Sequence, residues 1–388
     1  MNISNSKNRW SEERLDLVRS VIRADVEKGL YHGAVIRVSR AGEVGLDEAI
    51  GFEDADHTRS LNRNSVFSIF SLTKAFTNVL ALRAVELGQF ALTTKVKDII
   101  PEFMGAPRDK TTLFHLLTHT TGMPGVWAPK PDMYQDRLDE LVAAVCESVH
   151  GVIDPGLRCD YAPACNQILI GEMLRRTDPK GRDFRSILHE DLFAPLGMVD
   201  SWLGVRPDLR ARKVVPDMRG VVPIAVLGRT QPGKYSLFEE EVNEAPHVGA
   251  VSTASDMWRF AEMLRLNGEL DGARILSPRM VELARQNWTG DLYNELYRGV
   301  ALRAGWDNPP PAYIGLGFSV RGEKLVHHQF GTLTTRGTFG NYGAGTTMFW
   351  IDPQLDISFS CLTAGVLPQA ANIERFQRMS DIIVGAAV

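Results

Sequence analysis

Ser71 and Lys74 stand three residues apart at the head of a long apolar run. On a helix, positions three apart share a face, so a hydroxyl and an amine are presented side by side. The stretch Ile69-Phe70-Ser71-Leu72-Thr73-Lys74-Ala75-Phe76 opens a helix continued by Thr77, Val79, Leu80, Ala81, Leu82, Ala84, Val85 and Leu87. Gly88 is its expected stop. A helix apolar nearly all round is buried. A lysine held against that packing must find partners or lose its proton, and a neutral amine is a base for a neighbouring hydroxyl. Unpaired N–H groups at the helix mouth favour negative charge. The chemistry expected is nucleophilic attack by Ser71, a Ser-Lys variant of covalent catalysis. Spacing alone carries little, since Ser4 and Lys7 repeat it in a polar tail.

The elements that must position this pair are read from periodicity. Ser11 with Glu12 and Glu13 starts a helix whose stripe is Leu15, Val18, Ile22 and Val26, ending near Glu27. Two strands follow, from Gly33 to Ser39 and from Val44 to Gly51, around a turn at Ala41-Gly42-Glu43. Beyond the central helix come a short buried helix and turn from Thr111 to Gly122, then helices over Leu138–Val149, around Ile168–Leu174 and over Phe184–Leu192. Residues 205–248 read as a long irregular crossing, and loops of that length are usually functional. Helices are expected over Ser255–Asn267 and from Ser277-Pro278 to Gln286. The last third changes to strands: Gly315–Val320, Leu325–Gln329, Thr346–Ile351 and Ile357–Thr363, closed by a helix carrying Ile373, Phe376, Met379 and Ile383 on one face. Hairpin-linked strands imply an antiparallel sheet, so the fold expected is α+β. Residues 1–90 and 245–388 would form a discontinuous sheet domain flanked by helices, with 91–244 an inserted, mainly helical domain.

Other residue pairs offer weaker chemistry. His115 and His119 have the spacing of a zinc pair, but His-Leu-Leu-Thr-His lacks a zincin glutamate, so a structural role is expected. His327 and His328 occupy adjacent positions of an expected strand and would face opposite sides of the sheet. Trp306 with Pro309-Pro310-Pro311 reads as a rigid surface loop, and walling an acyl pocket is the lesser alternative. No Gly-x-Ser-x-Gly elbow occurs, which argues against an α/β-hydrolase.

With the later elements in view, the sequence resembles the serine β-lactamase and penicillin-binding-protein superfamily, most of all class C-type enzymes and family VIII carboxylesterases. Ser71-Leu72-Thr73-Lys74 matches the family's Ser-x-Thr-Lys, and Thr111 to Gly122 is similar to its leucine-rich helix and turn. Tyr161 lies where the family's catalytic tyrosine is expected. Gly249-Ala250-Val251-Ser252-Thr253-Ala254 resembles its Ser-Thr-Ala segment, and Gly340-Asn341-Tyr342-Gly343 its third motif on an edge strand. The resemblance implies an acyl-enzyme on Ser71, proton work shared by Lys74 and Tyr161, and an oxyanion held by backbone N–H groups of Ser71 and of the strand near Ala344. Asn341 and Gly343 would border the substrate, and Gly343 and Gly345 would permit close backbone approach. No cofactor and no metal are implied.

Two departures narrow the substrate. Where the family commonly has Tyr-x-Asn, this chain has Tyr161-Ala162-Pro163, and proline offers no side-chain amide; Asn166 lies one helix turn further on. Where lactamases place a lysine in the third motif, this chain has the uncharged Asn341. A site without that cation suits a carboxylate-bearing penicillin or peptide poorly. The expectation is therefore a carboxylesterase acting on small esters. An amide or β-lactam hydrolase or an acyltransferase of the same fold is the alternative, and a non-catalytic binding protein the remote one.

Composition sets the outer bounds. The chain has 388 residues, 44% hydrophobic and 23% charged, with a formal charge of −4. That is the balance of a globular protein with a sizeable core, and without a basic cluster it argues against nucleic-acid or anionic-membrane partners. Cys146, Cys159, Cys165 and Cys361 lack zinc-like spacing, and the polar N-terminus lacks a leader pattern, so reduced thiols in a cytoplasmic protein are expected. The expected partner is a small-molecule ester or amide; the oligomeric state is left open.

Overall fold

The computed structural model describes residues 9–131, 133–214, 241–344 and 346–388. Helix α1 (Glu12–Glu27) is capped by Ser11, whose hydroxyl accepts from the Arg14 N–H, and carries Glu12 and Glu13 in its first turn. Strands β1 (Gly33–Arg40), β2 (Glu43–Gly51) and β3 (Phe67–Ser68) lead to a 3₁₀ turn, Phe70–Leu72, and to α2 (Thr73–Glu86). Next come α3 (Val96–Ile99), α4 (Leu113–Leu117), α5 (Leu138–Ser148), α6 (Cys165–Thr177), α7 (Phe184–Leu188) and β4 (Trp202–Leu203). Then follow β5 (Ala250–Ser252), α8 (Ala254–Arg265), a small hairpin of β6 (Glu269–Leu270) and β7 (Ala273–Arg274), α9 (Pro278–Ala284) and α10 (Glu295–Arg303). Strands β8 (Ser319–Val320), β9 (Phe339–Gly343), β10 (Thr347–Asp352) and β11 (Ile357–Ala364) precede α11 (Gln369–Ala386).

The main sheet has the order β2-β1-β11-β10-β9-β8, and its pairs are antiparallel. The first two strands thus join the last four, with Gly33 opposite Ala364 and Arg40 opposite Ile357. Successive residues of a strand point to opposite faces. Val35, Phe349, Ile351 and Leu362 enter the core on the α8 side, whereas Ile36, Trp350, Phe359 and Cys361 enter the core that α1 and α11 cover. Burial on both faces is why these strands read as nearly unbroken apolar runs.

Helix α2 is tied to this sheet through aromatic edges. Phe76 meets Phe193 and Phe260 edge-to-face at 5.1 and 4.9 Å, and Phe260 meets Phe349 of β10 at 5.4 Å. Such pairs add about 0.5–1.5 kcal/mol each beyond area burial. Behind α2, helix α6 packs against it and against α3, α4, α5 and α7. Gly88, at φ +72°, ends the turn after α2, and its N–H bonds the Val85 carbonyl.

Three sequence expectations change. Residues Leu325–Gln329 form no strand: the His328 N–H goes to Gln377 Oε1 and the Phe330 N–H to His328 Nδ1, so side chains take the donors a ladder would need. His327 and His328 therefore do not straddle a sheet. The strand expected over Gly315–Val320 shrinks to Ser319–Val320, and the helix from Phe184 turns π-helical over His189–Phe193. Of the long crossing, residues 215–240 lie outside the described residues, and Pro207–Arg212 is a 3₁₀ turn. Among the described residues no helix is long and apolar enough to cross a membrane.

Candidate active site

The turn before α2 holds Ser71 in an unusual place. Phe70 adopts φ +48°, a left-handed conformation that costs a non-glycine residue roughly 1–2 kcal/mol. That strain is held by contacts on either side: Thr347 Oγ1 donates to the Ile69 carbonyl at 3.2 Å, and Thr73 Oγ1 accepts from the Ala250 N–H at 3.1 Å. Further along α2, Thr77 donates to the Pro246 carbonyl and Asn78 to the Gly317 carbonyl, at 2.6 and 2.8 Å. The polar positions of an otherwise apolar helix are thus hydrogen-bonded anchors.

Ser71 Oγ lies 3.1 Å from Lys74 Nζ and 2.9 Å from the Tyr161 hydroxyl. Lys74 is almost fully buried and donates to the His247 carbonyl at 2.8 Å; its Nζ is 5.4 Å from the Tyr161 ring centre. Burial holds the Lys74 pKa well below the usual lysine range. Burial also pushes the Tyr161 phenol up to about 12, against the pull of its hydrogen bond to Ser71. At neutral pH the arrangement is an amine that readily lacks its extra proton and a phenol that keeps its own. His119 and His247 beside them are held neutral by burial first and by Lys74 second, His119 down to about 3.

Tyr161 is fixed from three sides. Its N–H donates to Asn294 Oδ1 at 3.2 Å, the next N–H, of Ala162, donates to His119 Nδ1 at 3.1 Å, and the His119 ring lies 5.0 Å from the phenol ring. His119 Nδ1 also takes Asn166 Nδ2 at 3.1 Å, and Asn166 donates to the Leu116 carbonyl at 2.9 Å. The Asn166 amide nitrogen therefore braces the Leu116–His119 turn, and Asn166 is not among the residues that line the two cavities at Ser71. His115 closes a capping box with Thr112 at the start of α4.

The third-motif strand approaches Ser71 closely. A Cβ on Gly343 would meet the Ile69 carbonyl at 2.5 Å and the Ser71 nitrogen at 3.3 Å, so glycine is required for the contact. Ala344 and Ser71 border one small cavity. Asn341 lines the main cleft, with its amide engaged at both ends: Oδ1 accepts from the Ser319 N–H at 3.2 Å and Nδ2 donates to the Gly317 carbonyl at 3.1 Å. Gly345 lies outside the described residues.

The main cleft, about 840 Å³ including its mouth, is lined by residues far apart in the chain. Trp306, read first as part of a surface loop and only second as a pocket wall, stacks on His327 at 4.2 Å and 18° and lines the cleft with Pro310 and Pro311. Tyr297 and Tyr342 stand beside Tyr161, with ring centres 6.0 and 5.8 Å apart along the series Tyr161–Tyr297–Tyr342. No short motif marks Asn294, Tyr297 or Trp306; only the packing of α10 onto the cleft brings them in. Among the described lining residues Lys74 is the sole Lys, Arg, Asp or Glu.

The Beta-lactamase family model matches residues 18–382. The chain belongs to the β-lactamase family. It is 28% identical to Protein Rv1367c of Mycobacterium tuberculosis, over 88% of each chain. Its fold matches EstCE1, described as a hydrolase with promiscuous acyltransferase activity, with TM-score 0.75 at 18% identity over 96% of this chain and 99% of that one. It also matches a family VIII carboxylesterase, with TM-score 0.74 at 17% identity over 95% and 97%. At such identities the two solved structures establish the β-lactamase fold, the antiparallel sheet with its flanking helices.

Proposed function

We propose that this protein is a serine hydrolase that forms an acyl-enzyme through Ser71 and acts on small, uncharged carboxylic esters. The observation that carries this reading is the Ser71 hydroxyl held between a buried, carboxylate-free Lys74 amine and the Tyr161 phenol. Neutral Lys74 takes the Ser71 proton as Oγ attacks the carbonyl carbon, and Tyr161 relays a proton to the departing alcohol oxygen. The Ser71 and Ala344 N–H groups hold the oxyanion, a contribution of about 2.7–4 kcal/mol for each donor of this kind. Water then releases the acid and restores Ser71. The ester reading is supported by a cleft whose described lining residues offer a substrate carboxylate no Lys or Arg beyond the buried Lys74, and by an Asn341 amide already engaged by the sheet edge. Four free cysteines are consistent with a reducing, cytoplasmic setting.

Ser71→Ala should abolish turnover of p-nitrophenyl acetate and labelling by a fluorophosphonate probe; retained turnover would overturn the assignment. Rapid nitrocefin hydrolysis would move the substrate class to lactams. Transfer to an alcohol in place of water is a second reading, favoured by the aromatic cleft beside Ser71. An ester product formed on adding benzyl alcohol would report it.

A further inference from the structure

The geometry points to an ester that lies across Ser71, with a short alkyl acyl chain in one chamber and a larger, uncharged, aromatic alcohol in the other. This rests on Ser71 being the nucleophile and goes on to name the two halves of the substrate.

Ser71 borders two cavities of unequal size and character. The large cleft also holds Lys74 and Tyr161; the small cavity is far tighter and is lined, besides Ser71, by Ala344, Phe70, Trp127, Pro163, His247 and Val248. Proton chemistry decides which half of an ester goes where. When Ser71 Oγ bonds to the carbonyl carbon, its proton passes to Lys74. When the carbon–oxygen bond to the alcohol breaks, that oxygen leaves with the bonding pair and must collect a proton. Both groups able to deliver it, Tyr161 and the newly protonated Lys74, face the large cleft and not the small cavity. The carbonyl oxygen points to the Ser71 and Ala344 N–H groups. The third substituent, the acyl chain, is left with the small cavity. Water later attacks the acyl-Ser71 bond, the acid leaves that cavity, and the proton balance closes on Ser71.

The linings suit this division. Among the described residues the small cavity is walled by Phe70, Trp127, Pro163, Val248 and Ala344, and its one polar side chain besides Ser71 is the His247 imidazole, which burial disfavours as a cation, so it takes a short alkyl group. The large cleft has the Trp306–His327 stack and Phe318 for a flat ring, and Tyr297, Gln329 and Ser319 as uncharged hydrogen-bonding groups. A ring there is recognised by stacking, and its substituents by neutral partners.

Two substrate series test the assignment on the full-length chain. With the acyl group fixed as acetyl, ethyl, benzyl and 2-naphthylmethyl esters have alcohols of comparable acidity, and kcat/KM should rise at least about tenfold along the series. With the alcohol fixed as p-nitrophenol, kcat/KM should fall at least about tenfold from acetyl or butyryl to octanoyl. Trp127→Ala should raise the octanoyl-to-acetyl ratio, and Trp306→Ala should lower the naphthylmethyl-to-ethyl ratio. Flat or reversed series in the wild type overturn the orientation, as does a Trp127→Ala protein whose acyl ratio does not move. If Ser71 is labelled by fluorophosphonate while the series reverse, the orientation alone has failed; if Ser71 is not labelled, the hydrolase reading has failed with it.

Discussion

Two cations are buried on opposite sides of the main sheet, and the protein treats them in opposite ways. Arg375 of α11 lies in the layer under α1, almost fully buried, with its guanidinium 4.3 and 4.6 Å from the Tyr31 and Phe376 ring centres. It donates to Thr363 Oγ1 at 3.1 Å and stands 3.9 Å from the carboxylate of Asp25, which Arg378 and Tyr31 also bond. Burial works against its charge, yet Tyr31, Cys361 and Asp25 outweigh it and the pKa rises. Lys74, in the other layer, has a carbonyl, a hydroxyl and a phenol ring around it and, among the described residues, no carboxylate partner. Burial is unopposed there, and the amine is driven towards its neutral form. A guanidinium cannot escape by losing its proton, so a buried arginine needs a counter-charge; a buried lysine can escape, and that makes it a base. Among the described residues, what separates the structural Arg375 from the proposed base Lys74 is the presence or absence of a counterpart to Asp25.

Changes at each cation break or sharpen this contrast. The largest effect is expected from Lys74→Arg, which keeps the charge and forbids its loss: kcat/KM on p-nitrophenyl acetate should fall about 10²–10⁴-fold. The wild type should in turn lose kcat/KM as pH falls through the lowered Lys74 pKa, with the slope of one proton, and the variant should lose that limb; a pH–rate profile reads both. Arg375→Met should destabilise by about 3 kcal/mol, because Asp25 is left buried with a single cation partner. A shift below about 1 kcal/mol in urea unfolding would show that Arg375 is not the structural cation argued here. Smallest is the stability change in Lys74→Met, a gain of about 1 kcal/mol at pH 7, since no amine is then desolvated; its kcat/KM should fall as in Lys74→Arg. The sign with pH follows from linkage. Native Lys74 is neutral where the unfolded chain carries its charge, so unfolding takes up a proton and wild-type stability climbs as pH rises towards the usual lysine value. The advantage of the methionine variant should shrink over that range, which melting curves at several pH values would show.

Much of the architecture is legible in the residues. Ser11 with its acidic first turn, the apolar stripe of α1, the paired strands around Gly42, and the run from Ala75 to Leu87 each state a local preference that tertiary packing leaves intact. The misreadings fall where local pattern and tertiary partners disagree. Leu325–Gln329 has strand-like composition, but the His328 N–H is claimed by Gln377 and the Phe330 N–H just beyond it by the His328 ring. Trp306 and its prolines read as surface because their partners, His327 and Glu374, are distant in the chain.

What the sequence by itself determined is the placement of the proposed nucleophile: Ser71 and Lys74 one turn apart at the mouth of a helix too apolar to be exposed, with Tyr161 and the Gly340–Gly343 segment in family order. Those are short-range facts, set by helical spacing and by side-chain type. Only the tertiary structure decided that Lys74 meets no carboxylate among the described residues, that the Asn166 amide nitrogen goes to His119 and the Leu116 carbonyl, and that two unequal cavities meet at Ser71. Each depends on which remote groups share a few ångströms of low-dielectric space, and spacing along a chain does not encode that distance.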